Sequence, residues 1–344
     1  MTRSIRVTTT PLLASILFLA LFIGVALGDG VRFVVYGDMP YSTEEQAFLE
    51  GAAAEHIARD GKIAFVIALG DLGRPETACN DPWQLRQRAM WRDRFGKPVF
   101  LTPGDNDWTD CDRDNVPNRG SELARLDAMR RIHFAEPPPA IPPEWGYRAQ
   151  PGQPENATWA YAGIRFATIH VVGTMNGRTE IGSDDPKLAI ALADARDVAN
   201  RIWLTESFAA ARAAGERAVV IAMQADPFDP NAVIRGNPVP DGLLERCLAS
   251  AAMAPTCKAL LAEVQGFPGP VLLVHGDTNP ACLERIDLPE GGRVFWRLNA
   301  WGDGSKPADI GIIDADIAAA DAPFRVSGIG EGHQMPTRCQ SHRR

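Results

Sequence analysis

Apolar runs along this chain repeatedly end in a polar turn. Val31-Arg-Phe-Val-Val-Tyr36 leads into Gly37-Asp38, and Ile63-Ala-Phe-Val-Ile-Ala-Leu69 leads into Gly70-Asp71. Pro98-Val-Phe-Leu101 leads into Gly104-Asp-Asn-Asp107, Ala218-Val-Val-Ile-Ala-Met223 into Gln224-Ala-Asp226, and Pro270-Val-Leu-Leu-Val274 into His275-Gly-Asp-Thr-Asn279. Short apolar runs bounded by Gly and Pro predict buried strands.

Between the runs, apolar residues recur at helical spacing. A helix is expected over 43–59, capped by Ser42 with Glu45 three residues on, as in a capping box. Others are expected over 83–95, 121–133, 186–214 (one or two helices) and 241–265. Strand, helix and strand in alternation predict parallel strands with crossover helices. The proline-rich stretch 137–143 can be neither helix nor central strand and has to cross the surface. Segments 156–161 and 164–172 around Ala162-Gly163 read as a hairpin. The runs 293–298 and 310–314 read as two more strands, antiparallel and at an edge. His56 and His133 fall in helices as packing or surface residues. His170 ends a strand and reads as a core residue, with a place facing the polar loops as the other option. Asn156-Ala-Thr158 also fits a glycosylation acceptor.

The first residues add a targeting segment. Arg3 and Arg6 precede an apolar run from Pro11 to Leu27, and small residues at Ala26 and Gly28 suit cleavage after Gly28. This reads as a secretory signal peptide over 1–28, or else as a retained anchor. The expected division is then a signal peptide, a single domain over 29–330 and a tail over 331–344. No later segment is apolar enough to span a bilayer. Six cysteines in an exported chain can close three disulfides, with several connectivities open. Local pairing would join Cys79 to Cys111 and Cys247 to Cys257, which leaves Cys282 and Cys339 for each other. No cysteine pair has the short spacing of zinc ligands. The formal net charge of −8 argues against nucleic acid and favours a small substrate.

In open α/β sheets ligands bind beyond the carboxyl ends of strands, so these loops could meet at one edge. A glycine before an aspartate is ordinary turn chemistry when it occurs once. Here the pattern recurs in order. The loops resemble the motifs of the calcineurin-like metallophosphoesterase superfamily, over roughly residues 31–298. Gly104 to Trp108 and His275 to Thr278 are similar to the Gly-Asp-Asn-Glu-Trp and His-Gly-Asp-Thr motifs of an exported subgroup. The resemblance implies a four-layer αββα sandwich with mixed sheets and a two-metal site hydrolysing a phosphomonoester or phosphodiester with a metal-activated water. It points to Asp38, Asp71, Asp105, Asn106, Gln224, Asp277 and Asn279 as metal ligands, with Asp71 as the bridge, and to Asn106, Asp107 and His275 as catalytic residues. Pro40 stands where the family has a histidine, and the family histidines near Gln224 and at Asp277 and Asn279 are replaced. Oxygen donors favour magnesium, manganese or calcium over zinc. A small phosphorylated substrate is the expected partner. Two other readings remain: a non-catalytic binding or structural module, and a single structural cation on Asp38, Asp71 and Asp105.

Overall fold

The computed structural model describes residues 30–232, 238–289, 291–302, 305–330, 333 and 335–339; the signal segment expected over 1–28 lies outside them. Twelve strands form two sheets among the described residues. One holds β1 (Val31–Tyr36), β2 (Ile63–Ala68), β3 (Val99–Leu101), β11 (Gly311–Ala315) and β12 (Phe324–Ser327), in the order β12-β11-β1-β2-β3. The other holds β4 (Arg148–Gln150), β5 (Gln153–Tyr161), β6 (Ile164–Thr168), β7 (Ala218–Ala222), β8 (Val271–His275), β9 (Cys282–Asp287) and β10 (Val294–Asn299), in the order β4-β5-β6-β7-β8-β10-β9. Strands β1, β2 and β3 are parallel, as are β6, β7, β8 and β10, while the hairpins and β11 run antiparallel.

The alternation of each strand separates two buried faces. Phe33, Phe65 and Phe100 from the first sheet meet Trp159, Phe166, Leu272 and Leu298 from the second, forming the seam between sheets. The opposite face of the first sheet carries Val34, Val66 and Leu101 against Leu49, Ile57, Trp91 and Met129 of the helices. The opposite face of the second carries Val219, Ile221 and Leu273 against Trp203, Phe208, Leu260 and Val264. The chain therefore forms the expected αββα sandwich with mixed sheets.

Local chemistry explains most element ends. Ser42 Oγ accepts the Glu45 N–H at 3.1 Å and starts the helix Thr43–Phe48, which continues through a wider π turn into Ala54–Arg59. Glu45 returns its carboxylate to the Tyr41 N–H, one residue earlier than a capping box requires. The run 186–214 is one helix, with Asp185 accepting from the Lys187 N–H at its start and Gly215 in the left-handed region at its end. The helix expected over 241–265 instead breaks at Ser250 into Leu243–Ala249 and Ala254–Gly266, clasped by Cys247–Cys257. All three expected disulfides form, Cys79–Cys111 and Cys282–Cys339 being the others.

Two expectations fail. The late runs are interior, not edge: β10 lies between β8 and β9 and is parallel to β8, while β11 lies between β1 and β12. The strands that cover them, β9 and β12, carry charged residues facing solvent, which hides them from a hydropathy pattern. Asn156 is fully buried, with its amide donating to Gln150 and Asn200 and its carbonyl accepting the His170 N–H, so the Asn156-Ala-Thr158 motif is inaccessible to modification.

Phe65 sits at the centre of the seam, 4.9 Å from the Phe166 ring and 5.5 Å from those of Phe100 and Trp159. Phe65→Ala should cost about 3–5 kcal/mol, because a cavity opens between two sheets that cannot close independently. Urea denaturation of both proteins would show it as a lowered midpoint with little change in slope.

Candidate metal centre

Three aspartates of the loops share one backbone device. Asp38, Asp71 and Asp277 stand at φ 49°, 51° and 66°, in the left-handed region. Each follows a glycine just past a strand end, and the sharp turn sends its carboxylate across the sheet edge rather than along the strand. Asp tolerates this conformation better than most residues, though at a cost that surrounding structure must offset. Close backbone approach does the rest. A Cβ on Gly104 would lie 2.0 Å from Asp71 Oδ1, and one on Gly173 would lie 2.3 Å from Asp105 Oδ2, so neither position has room for a side chain.

The loops meet through amide and hydroxyl donors. The Asn106 N–H faces Asp71 Oδ1 at 3.1 Å and Asp105 Oδ1 at 3.2 Å. Gln224 Nε2 reaches Asp105 Oδ1 at 3.1 Å and Asp277 Oδ1 at 3.3 Å. Asp38 Oδ2 accepts the Asp277 N–H at 2.5 Å. Asp38, Asp71 and Asp105 are buried and Asp277 is half-buried on the wall of a cleft of about 600 Å³. Burial, then the charges of Asp105 and Asp38, hold the Asp71 and Asp277 carboxyls well above the usual range. Among the described residues no three of His, Cys, Asp and Glu form a closed cation cage in this arrangement. The cluster is a set of carboxylates gathered by neutral donors, with Gln224 turning Nε2 to two of them while its Oε1 accepts the Gly173 N–H at 2.8 Å.

Other expected residues take different places. Asp107 is fully buried and accepts from the Asp71 and Gly104 N–H groups at 2.8 and 2.9 Å and from the Leu72 N–H and Gln84 Nε2 at 3.0 and 3.2 Å. With both oxygens so occupied it braces two loops behind the cluster. Asn279 and His275 line the cleft, and the buried His275 ring turns Nδ1 to the Gly276 carbonyl at 3.0 Å. His170 is a core residue: Nδ1 faces Glu155 Oε1 at 2.9 Å, and Glu155 also holds Arg130. His133 packs beside Trp91.

Two contributors escape sequence reasoning. Tyr41, positioned by the helix cap, donates its hydroxyl to Asp71 Oδ2 at 2.6 Å and accepts from Asn106 Nδ2 at 2.7 Å. Burial raises its own pKa well above normal, so it stays a donor at neutral pH. The second is a left-handed turn at Thr174, Met175 and Asn176, φ 49°, 54° and 54°. Each such residue costs about 1–2 kcal/mol. The turn is held by Asn176, whose Oδ1 accepts the Val172 N–H at 3.2 Å and whose Nδ2 donates to Asp197 at 2.7 Å, and by Arg196, which donates to the Asn176 carbonyl at 2.6 Å and lies over the Trp108 ring. It delivers the Thr174 hydroxyl to Asp105 Oδ2 at 2.9 Å. The flanking Gly173 and Gly177 were the one available signal.

No family model and no curated protein matches this chain. A solved structure described as that of PhoD matches with a TM-score of 0.46 and 11% identity, over 92% of this chain and 75% of that one.

Behind the loop, Asp112 accepts the Gly182 and Ser183 N–H groups at 2.6 and 2.8 Å, and the buried Glu122 carboxyl is pushed up to about 9 by burial and by Asp112. A carboxyl raised on folding stabilises the fold fully below its unfolded pKa, and that contribution is lost as pH rises through the folded value. Stability should therefore fall between pH 5 and about 9 in the parent protein. Glu122→Gln should flatten that slope in urea titrations at several pH values.

Proposed function

We propose that this chain is an exported, metal-dependent phosphoesterase that hydrolyses a phosphomonoester or phosphodiester at a histidine-poor site. The observation that carries the reading is the convergence of Asp38, Asp71, Asp105 and Asp277 at one sheet edge, three of them buried, held by neutral donors. Carboxylates crowded in this way are strongly disfavoured as anions unless positive charge joins them. These four, with Asn106 and Asn279 beside them and Gln224 orienting Asp105 and Asp277 through Nε2, would hold magnesium, manganese or calcium. Divalent cations bound there would acidify a water and neutralise charge on the phosphoryl oxygens.

The protein's own groups supply binding and orientation. Arg113 lines the cleft, held by Asp110 at 2.5 Å and Glu180 at 2.7 Å, and is placed to donate to a phosphoryl oxygen. Tyr41 and the Asn106 N–H fix Asp71 from two sides, so that its carboxylate cannot swing away. Asn106 is a neutral amide and cannot act as a general acid, so the leaving group needs little protonation or takes its proton from solvent. The acidic balance favours a small phosphorylated substrate over a polyanion. Export is supported by the three disulfides and by the N-terminal segment; among the described residues no helix is long and apolar enough to cross a membrane. The replaced histidines favour the second reading, a binding module without turnover.

An aryl phosphate assay with magnesium, manganese, calcium or zinc decides between them. Metal-dependent hydrolysis that falls at least 100-fold in Asp71→Asn supports the enzyme, whereas no turnover with any of these ions leaves the binding module. Tyr41→Phe should weaken metal affinity by about 10–100-fold, as loss of a group orienting a ligand does, readable by calorimetry.

A further inference from the structure

A second group of polar atoms converges on the helix-facing side of the second sheet, away from the seam. His275 ends β8 and Asn299 ends β10, and the two are register partners on adjacent parallel strands. Leu273 points to the helices and Val274 to the seam, so alternation carries His275 to the helix side; Phe295 and Leu298 place Asn299 there too. Both are buried.

The hydrogen bonds fix which atoms face inward. His275 Nδ1 lies 3.0 Å from the Gly276 carbonyl and so carries the proton, which leaves Nε2 a bare acceptor. Asn299 Nδ2 donates to the Thr278 and Pro280 carbonyls at 2.7 and 3.1 Å, which turns Oδ1 the other way. His275 Nε2 and Asn299 Oδ1 are each sealed from solvent without a hydrogen-bond partner. Asp226, from the loop after β7, brings Oδ1 to 3.8 Å from His275 Nε2, and its other oxygen accepts the Thr278 hydroxyl at 2.8 Å. All three residues line the large cleft.

His275 Nε2, Asn299 Oδ1 and Asp226 Oδ1 are all acceptors, and Arg297 Nη1 stops 3.6 Å from Asp226 Oδ1, beyond a hydrogen bond, so the partner that would satisfy them is a cation. A separation of 3.8 Å is too long for a hydrogen bond but suits two atoms each roughly 2.1 Å from one ion. Arg297 is the basic group nearby, and it is shared between Glu284 at 3.0 Å and Asp226 at 3.6 Å, so the two carboxylates outnumber it. We propose that His275 Nε2, Asp226 Oδ1 and Asn299 Oδ1 form a second divalent-cation site, on the helix side of the sheet and separate from the aspartate cluster. An imidazole nitrogen beside two oxygens suits a borderline ion such as zinc or cobalt, where the aspartate cluster suits harder ions. The site stands whether or not the protein hydrolyses phosphate esters.

The test uses the full chain stripped with chelator, titrated with zinc by calorimetry and with cobalt by visible absorption. The parent protein and Asp71→Asn should both bind an equivalent of cobalt with the absorption of a nitrogen-containing site. His275→Gln should lose that equivalent and its absorption, and Asn299→Ala should bind it at least tenfold more weakly. Circular dichroism checks that the variants fold, and Asn299→Ala decides the matter if His275→Gln does not. Unchanged stoichiometry and affinity in a folded His275→Gln or in Asn299→Ala overturns the site. So does loss of all zinc and cobalt binding in Asp71→Asn, or no uptake by the parent protein.

Discussion

Carboxylates repel one another, and repulsion grows as water is removed from between them. The sandwich holds Asp38, Asp71, Asp105 and Asp277 together in spite of that cost, three of them buried. Parallel strands β1, β2 and β3 deliver their loops to one edge from the first sheet, and β7 and β8 deliver theirs from the second. The aromatic seam around Phe65 keeps the two edges in fixed relation. A core built for stability thus also sets the distance between groups that would otherwise move apart.

The same demand explains the local strain. Left-handed turns at Asp38, Asp71 and Asp277, and a further one at Thr174 to Asn176, would each relax if isolated. Each is overdetermined by its neighbours. Asp107 takes three backbone donors from the loops it joins and a fourth from Gln84, Cys79–Cys111 ties those loops covalently, and Asn176 and Arg196 bind the turn to the long helix Pro186–Ala214. A carboxylate that reads in sequence as chemistry can therefore be structural: Asp107 has the right type and place, yet its oxygens are fully engaged.

The edge of the second sheet carries a different chemistry on its helix side. There His275 Nε2 stands 3.8 Å from Asp226 Oδ1 beside Arg297, and the Asn299 Oδ1 on the neighbouring strand is also buried without a partner. Hard oxygen donors on one side and a mixed set on the other divide the cleft by the kind of cation each would select. The two sets meet at the loop after β8, which carries both His275 and Asp277 to the same cleft.

Much of this was legible along the chain. Apolar runs ending in Gly-Asp located the central parallel strands, the helices between them and the loops that carry the aspartates, since strand burial and turn chemistry are local properties of a few neighbouring residues. The cysteines pointed to the three disulfides, Cys79–Cys111 from adjacent loops, Cys247–Cys257 from short spacing and Cys282–Cys339 as the remaining pair. What sequence could not show was partnership between distant residues. The charged edge strands β9 and β12 decide that β10 and β11 are interior, Tyr41 reaches Asp71 only because a helix cap turns it, and Asp107 becomes a brace only where four donors surround it. Sequence by itself determined the layers and which side chains stand at the strand ends. Tertiary structure alone decided which of their oxygens remain available, because that depends on donors arriving from segments far apart in the chain.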